Sequence, residues 1–170
     1  MEEYTLGVAI PVYHGDATVG AVVDGLCRYA GERRLRCRVA LVADGGGARD
    51  NEAVRELATR YGGVTAVILP ENVGQQKALY YGIRQLDNCA LIATMDDDSA
   101  HPAGILDVLM EKIRQGADLC YAVPARRGGS AFRRLGALCR DALFSLWLGM
   151  PKGVRVGAYR VMTRQLALRL

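Results

Sequence analysis

The chain has 170 residues, of which 51% are apolar and 24% charged, with a formal net charge of +4; this supports one hydrophobic core of ordinary size and leaves too little for two. No window reaches the roughly 18 uncharged apolar residues that cross a bilayer, because Leu135 to Met150 is cut by Arg140 and Asp141, and the start MEEYTLGVAIPVY has no basic region ahead of a secretion-type apolar stretch. Five cysteines, at 27, 37, 89, 120 and 139, are odd in number and lack C-x-x-C spacing, so they read as buried thiols of a reducing, cytoplasmic compartment and argue against a cysteine metal site.

In chain order, apolar β-rich runs alternate with segments of helical period. LGVAIPV (6–12) is followed by a helix over 17–30, CRVALVAD (37–44) by one over 51–61, and VTAVIL (64–69) by one over 75–86. CALIATM (89–95) leads to a helix over 103–115 and then to LCYAVP (119–124). Strands that are continuous apolar runs are buried on both faces, as happens when helices cover both sides of a mostly parallel sheet. The expected class is therefore α/β, an open, mostly parallel sheet flanked by helices. Beyond 125 come the loop ARRGGSAFRR, an amphipathic stretch to about Leu148 and the mixed segment VRVGAYRVMTRQLALRL.

Charge is unevenly divided. Residues 1–125 carry 12 basic and 17 acidic side chains (net −5), and residues 126–170 carry 10 basic and one acidic (net +9). Such a block fits an acidic partner, a phosphate or an anionic membrane surface, or else a solvated basic face. Nucleic acid is not expected, since Phe132, Phe144, Trp147 and Tyr159 are scattered among apolar positions and form no stacking platform.

Ligands of such sheets sit outside the carboxyl ends of the strands. Here those ends are PVYHGD (11–16), ADGGGARDN (43–51), PENVGQQKA (70–78) and MDDDSAHP (95–102). Asp96 and Asp98 are two apart, so in an extended chain they point the same way while Asp97 points back. Two converging carboxylates with oxygen-only ligation select Mg²⁺ or Mn²⁺, whose shell is completed by water and substrate phosphates. The competing explanation is acids that complement a helix N-terminus. With Pro102 as the first helical residue and His101 as cap, however, the aspartates fall too early to meet the free amides. In ADGGGARDN, Asp44 and the glycines fit either a nucleotide approached by backbone amides or a plain turn. In ENVGQQKAL, Gly74, Gln75 and Gln76 fit either an anion at a helix N-terminus or an ordinary polar first turn.

VAIPVY, the Asp-Gly turn, NVGQQKALYYGI, ATMDDDSAHPAGI and GAYRVMTRQ occur in an order that resembles family 2 glycosyltransferases of the GT-A fold. The likeness covers essentially the whole chain and leans toward dolichyl- and undecaprenyl-phosphate sugar transferases. It implies a single GT-A-like domain over 1–170, with a donor or nucleotide half at 1–100 and an acceptor half at 101–170 that is cut short at the C-terminus. It also implies a nucleotide-sugar donor (UDP- or GDP-), Mg²⁺ or Mn²⁺ on Asp96 and Asp98, and inverting transfer to a polyprenyl phosphate or other acceptor. In the expected roles, Asp98 holds the metal against the diphosphate, Asp96 supports the metal or the ribose, and Asp44 with Pro11, Val12 and Tyr13 holds the nucleoside. Gly45, Asn72, Gly74, Gln75, Lys77 and Asp97 complete the donor side. Arg126, Arg127 and Arg133 are expected on the acceptor phosphate, and Arg160 is placed with the catalytic aspartates, because guanidinium forks match phosphate oxygens. LGALCRDALFSLWLG either lies on the inner face of the membrane or packs into the core.

Four positions depart from the resembled pattern: Ala43 before Asp44, Glu71 before Asn72, Ala100 two residues past Asp98, and Ala158 before Tyr159. A working transferase and a catalytically impaired nucleotide-sugar-binding or assembly module both fit this sequence. A nucleotidyltransferase fits less well, because VYHGDATVG offers no glycine-rich phosphate loop with a basic residue after the first strand.

Overall fold

The computed structural model describes residues 4–98, 103–122 and 157–169. Six strands, β1 (Tyr4–Val12), β2 (Cys37–Asp44), β3 (Val64–Leu69), β4 (Cys89–Thr94), β5 (Leu119–Tyr121) and β6 (Arg160–Thr163), form one sheet in the order β3-β2-β1-β4-β6-β5. The helices are α1 (Val19–Glu32), α2 (Ala48–Arg60), α3 (Gln75–Ile83), α4 (Ile105–Arg114) and the single turn α5 (Arg164–Ala167). Pairings β1–β2, β1–β4 and β2–β3 are parallel, whereas β6 runs antiparallel to both β4 and β5. The sheet is thus mostly parallel and open, as the continuous apolar runs require.

Alternation along β1 divides the core. Leu6, Val8, Ile10 and Val12 point into a large cluster with α1, α2 and α4, while Ala9 belongs to a smaller cluster with Leu79 and Ile83 of α3. Large residues on one face and a small one on the other let α3 sit close to the sheet. Parallel strands joined by helical crossovers all present their carboxyl ends to one edge. That edge collects the turns after β1, β2, β3 and β4.

Two elements differ from the sequence expectation. The helix expected from Pro102 begins at Ile105 with Gly104 as its N-cap, after a turn at Ala103, and His101 and Pro102 lie outside the described residues. Strand β6 emerges from the mixed segment near the C-terminus. Its four residues carry no pattern of their own, and pairing on both sides makes the strand, with Val161 and Met162 fully buried. Thr94, also fully buried, donates from Oγ1 to the Ala158 carbonyl at 2.6 Å, tying the end of β4 to the chain entering β6.

A polar clasp joins α1 to α4. Asp107 accepts from the Tyr29 hydroxyl at 2.7 Å and from Arg33 Nε and Nη2 at 2.8 and 2.6 Å, and the guanidinium lies 4.3 Å from the centroid of the Tyr29 ring. The Arg33 hydrogen bonds, then that of Tyr29, hold the Asp107 carboxyl below the usual carboxylate range. Burial, and then Asp107, push the Tyr29 phenol up. A carboxyl with a depressed pKa stabilises the fold above its unfolded pKa and ceases to do so as the pH falls through its folded one. Asp107→Asn is therefore expected to lower the melting temperature at neutral pH, with the difference from the parent narrowing in thermal melts as the pH is lowered below the ordinary carboxylate range.

Candidate functional site

The cleft at the carboxyl edge is built from loop backbone, and two buried carboxylates hold that backbone in place. Asp44, the last residue of β2 and only 2% exposed, accepts from the amides of Val73 at 2.8 Å and Gly74 at 3.1 Å. This fixes the turn from β3 into α3, where Asn72 Oδ1 also accepts from Gly74 N at 3.1 Å. The turn comes so near that Gly45, with φ +70°, lies against the Glu71–Asn72 backbone, and a Cβ there would overlap the Asn72 amide. Only glycine fits both the conformation and the approach.

The second carboxylate is Asp50, in the first turn of α2 and 1% exposed. Its Oδ2 accepts from His14 N at 2.7 Å, and its Oδ1 accepts from Gly15 N and Asp16 N, both at 3.1 Å. Three successive amides converge on one anion, which stabilises the left-handed turn at His14 (φ 55°). Sequence reading missed this residue because the helix was expected to start at 51, which left Asp50 in a loop. An acid one turn past a glycine run was the available signal.

The three aspartates after β4 divide their work. Strand pairing stops at Thr94 and the chain bends at Asp97 and Asp98, so the alternation expected through Asp98 is not maintained. All three carboxylates line one cleft of about 310 Å³, with Pro11, Tyr13, Asp44, Asn72, Gly74 and Gln75. Asp96 accepts from Gln75 Nε2 at 2.7 Å, which ties it to the first residue of α3. Asp97 accepts from the Tyr13 amide at 3.3 Å and fills the space at Gly15, where a Cβ would overlap its carboxylate. It is therefore the brace between the aspartate segment and the β1 turn. Burial chiefly, and then Asp96 and Asp98, raise the Asp97 pKa, against the pull of the Tyr13 amide.

The donor set on this rim is carboxylate and amide oxygen, which fits a hard divalent cation. Among the described residues no three acidic, histidine or cysteine side chains group as a complete metal site. A cation held there would need water or a bound diphosphate to complete its shell.

Other expected site residues lie elsewhere. Val12 is fully buried in the larger core cluster, because alternation along β1 turns its side chain away from the edge. Lys77 is exposed on the outer side of α3, two residues or about 200° around the helix from Gln75. Arg160 lines a separate cavity of about 220 Å³ between α3 and α5, where its Nε is buried without a hydrogen-bond partner. Ala43, on the opposite side of β2 from Asp44, is packed in the core. Arg126, Arg127, Arg133 and Ala100, and the stretch LGALCRDALFSLWLG, lie outside the described residues.

The architecture, a mostly parallel sheet with its loop turns and aspartates on one edge, is that of the GT-A glycosyltransferases. Among solved structures it resembles glucosyl-3-phosphoglycerate synthase from Mycobacterium tuberculosis, crystallised with Mn²⁺, uridine diphosphate and glucosyl-3-phosphoglycerate. The TM-score is 0.72 at 16% identity, over 96% of this chain and 58% of that one. Mannosyl-3-phosphoglycerate synthase from Rubrobacter xylanophilus gives 0.71 at 16%, over 96% and 55%. The family model for glycosyl transferase family 2 matches residues 7–169, and the chain belongs to that family. Similar curated proteins are the undecaprenyl-phosphate 4-deoxy-4-formamido-L-arabinose transferases. That of Pseudomonas paraeruginosa is 31% identical over 163 residues, covering 94% of this chain and 46% of the relative. That of Edwardsiella ictaluri is 29% identical over 159 residues, covering 91% and 49%. The chain thus spans about half the length of the curated relatives it matches.

Replacing Asp50 tests whether the rim depends on its buried carboxylates. Asp50→Ala strands three amides and is expected to cost about 3 kcal/mol in urea unfolding, with Asp50→Asn intermediate because one acceptor oxygen remains.

Proposed function

We propose that this domain transfers a sugar, with inversion, from a UDP- or GDP-sugar to a polyprenyl phosphate, with Mg²⁺ or Mn²⁺ bound at Asp96 and Asp98. The observation that carries the reading is the convergence of Asp96, Asp97 and Asp98 with Asp44, Asn72 and Gly74 on one cleft at the strand ends. The undecaprenyl-phosphate substrate named for the relatives supports the acceptor class, and the Mn²⁺ and uridine diphosphate of the structural neighbour support the donor class.

In this reading Tyr13, half-exposed at the cleft, and the β1 turn braced by Asp50 and Asp97 form the nucleoside side. The α3 N-terminus, organised by Asp44, faces the diphosphate with its free amides. A divalent cation held by Asp96 and Asp98 would neutralise charge developing on the leaving diphosphate. Gln75 orients Asp96 for that task through its 2.7 Å hydrogen bond. The acceptor phosphate is already anionic at neutral pH, so no side chain need remove a proton from it. Arg126, Arg127 and Arg133 supply guanidinium for the phosphates, whereas Arg160 stands apart from the cleft in its own cavity. The protein works at the inner face of the membrane, where its acceptor is found, and 1–100 and 101–170 are its donor and acceptor halves.

Calorimetric titration with UDP- and GDP-sugars, with and without Mn²⁺, tests this. Nucleotide binding is expected to strengthen with metal and to lose that dependence in Asp98→Ala, by about tenfold or more. Metal-independent binding, or an Asp98→Ala that behaves as the parent, would refute the metal reading. Radiolabelled sugar passing to a polyprenyl phosphate then separates a transferase from a binding module.

A further inference from the structure

The face of the sheet covered by α3 and α5 differs in charge from the face covered by α1, α2 and α4. The three helices of the larger core mix signs: α1 carries Asp24, Glu32 and Arg28; α2 carries three acids and three arginines; α4 carries Asp107, Glu111, Lys112 and Arg114. Their charges are partly consumed in ion pairs such as Arg60–Glu56 and Arg114–Glu111. By contrast, neither α3 nor α5 contains an acid. Lys77, the C-cap Arg84, Arg164, and Arg169 just past α5 are all exposed, and no ion pair engages them among the described residues. The nearest acids in sequence, Glu71 and Asp87, sit in the loops before and after α3.

This basic face also carries most of the large apolar side chains left open to solvent. Tyr80 and Tyr81 are each 45% exposed, edge to face with ring centroids 5.8 Å apart, and Leu168 of the neighbouring segment is 54% exposed. The Arg84 guanidinium stands 5.8 Å from the Tyr80 ring centroid. Between the two elements opens the cavity that Tyr80, Arg84, Arg160 and Leu168 help to line. Tyrosines favour the boundary between water and hydrocarbon, where the ring is sheltered and the hydroxyl hydrated, and unpaired Lys and Arg are drawn to anionic headgroups. A protein partner of mixed charge would leave these four cations unmatched.

We propose that the α3–α5 face is the surface by which this domain lies on an anionic lipid bilayer. Tyr80, Tyr81 and Leu168 enter the interface, and Lys77, Arg84, Arg164 and Arg169 meet the headgroups. The cavity between the elements admits a lipid phosphate beside Arg84. Because α3 begins at Gln75 on the cleft rim, this orientation brings the rim to the membrane. The proposal extends the lipid-acceptor reading above, but its test uses neither donor nor acceptor, so the two fail separately.

The full chain is sedimented with vesicles of phosphatidylcholine alone and of phosphatidylcholine mixed with phosphatidylglycerol. Binding is expected only to the anionic vesicles and is expected to weaken with added salt. Arg84→Glu with Arg164→Glu should lower the partition coefficient at least about tenfold, and Tyr80→Ser with Tyr81→Ser should lower it severalfold. Arg28→Glu with Arg55→Glu, the same change in net charge on α1 and α2, should leave it within about twofold of the parent. Circular dichroism melts confirm that each variant is folded before it is compared. The proposal is overturned if the parent ignores anionic vesicles, if the α3–α5 variants bind as the parent does, or if the α1–α2 pair loses as much.

Discussion

Asp44 and Asp50 are almost wholly buried, and a buried carboxylate is tolerated only when hydrogen bonds replace the water it has lost. Here the donors are backbone amides of loops: Val73 and Gly74 for Asp44, and His14, Gly15 and Asp16 for Asp50. The same bonds that satisfy the charges set the shape of the cleft. Each loop is positioned by an acid from a different strand or helix, so the rim inherits the rigidity of the sheet. Asp97 extends this scheme, since it reaches the Tyr13 amide and occupies the space that Gly15 leaves open.

Around this frame the topology sorts chemistry by position. Parallel strands with helical crossovers bring turns from four separate stretches of chain to one edge. Insertion of β6 between β4 and β5 then closes the sheet beside the aspartates, with Thr94 bonded to the Ala158 carbonyl. The charge distribution follows the same division. Carboxylates gather at the strand ends, mixed charges cover the helices of the larger core, and cations without an ion pair among the described residues cover α3 and α5 with exposed tyrosines.

The elements were legible wherever burial is local. Strands β2 and β3 lie at the expected positions because continuous apolar runs are demanded by helices on both faces. The gathering of Asp44, Asn72, Gly74, Gln75 and Asp96 to Asp98 was legible too, because strand ends in a parallel sheet share an edge whatever the loops do. Asp50 was not, since its partners are amides 34 to 36 residues away and leave no trace in local pattern. The same holds for β6, whose pairing supplies what its four residues lack. Lys77 was expected on the donor side from the family resemblance, and the helical turn of about 100° per residue carries it to the outer surface instead.

By itself, then, the sequence determined the α/β class, the edge that bears the site and the oxygen-rich character of its donors, because periodicity, strand ends and side-chain chemistry are local properties. Tertiary structure decided which carboxylates face the cleft and which are spent on backbone, where Arg160 and Lys77 stand, and that the cations of α3 and α5 share one face. Those outcomes depend on which distant amides and helices come within hydrogen-bonding and packing distance. Only the folded chain sets that geometry.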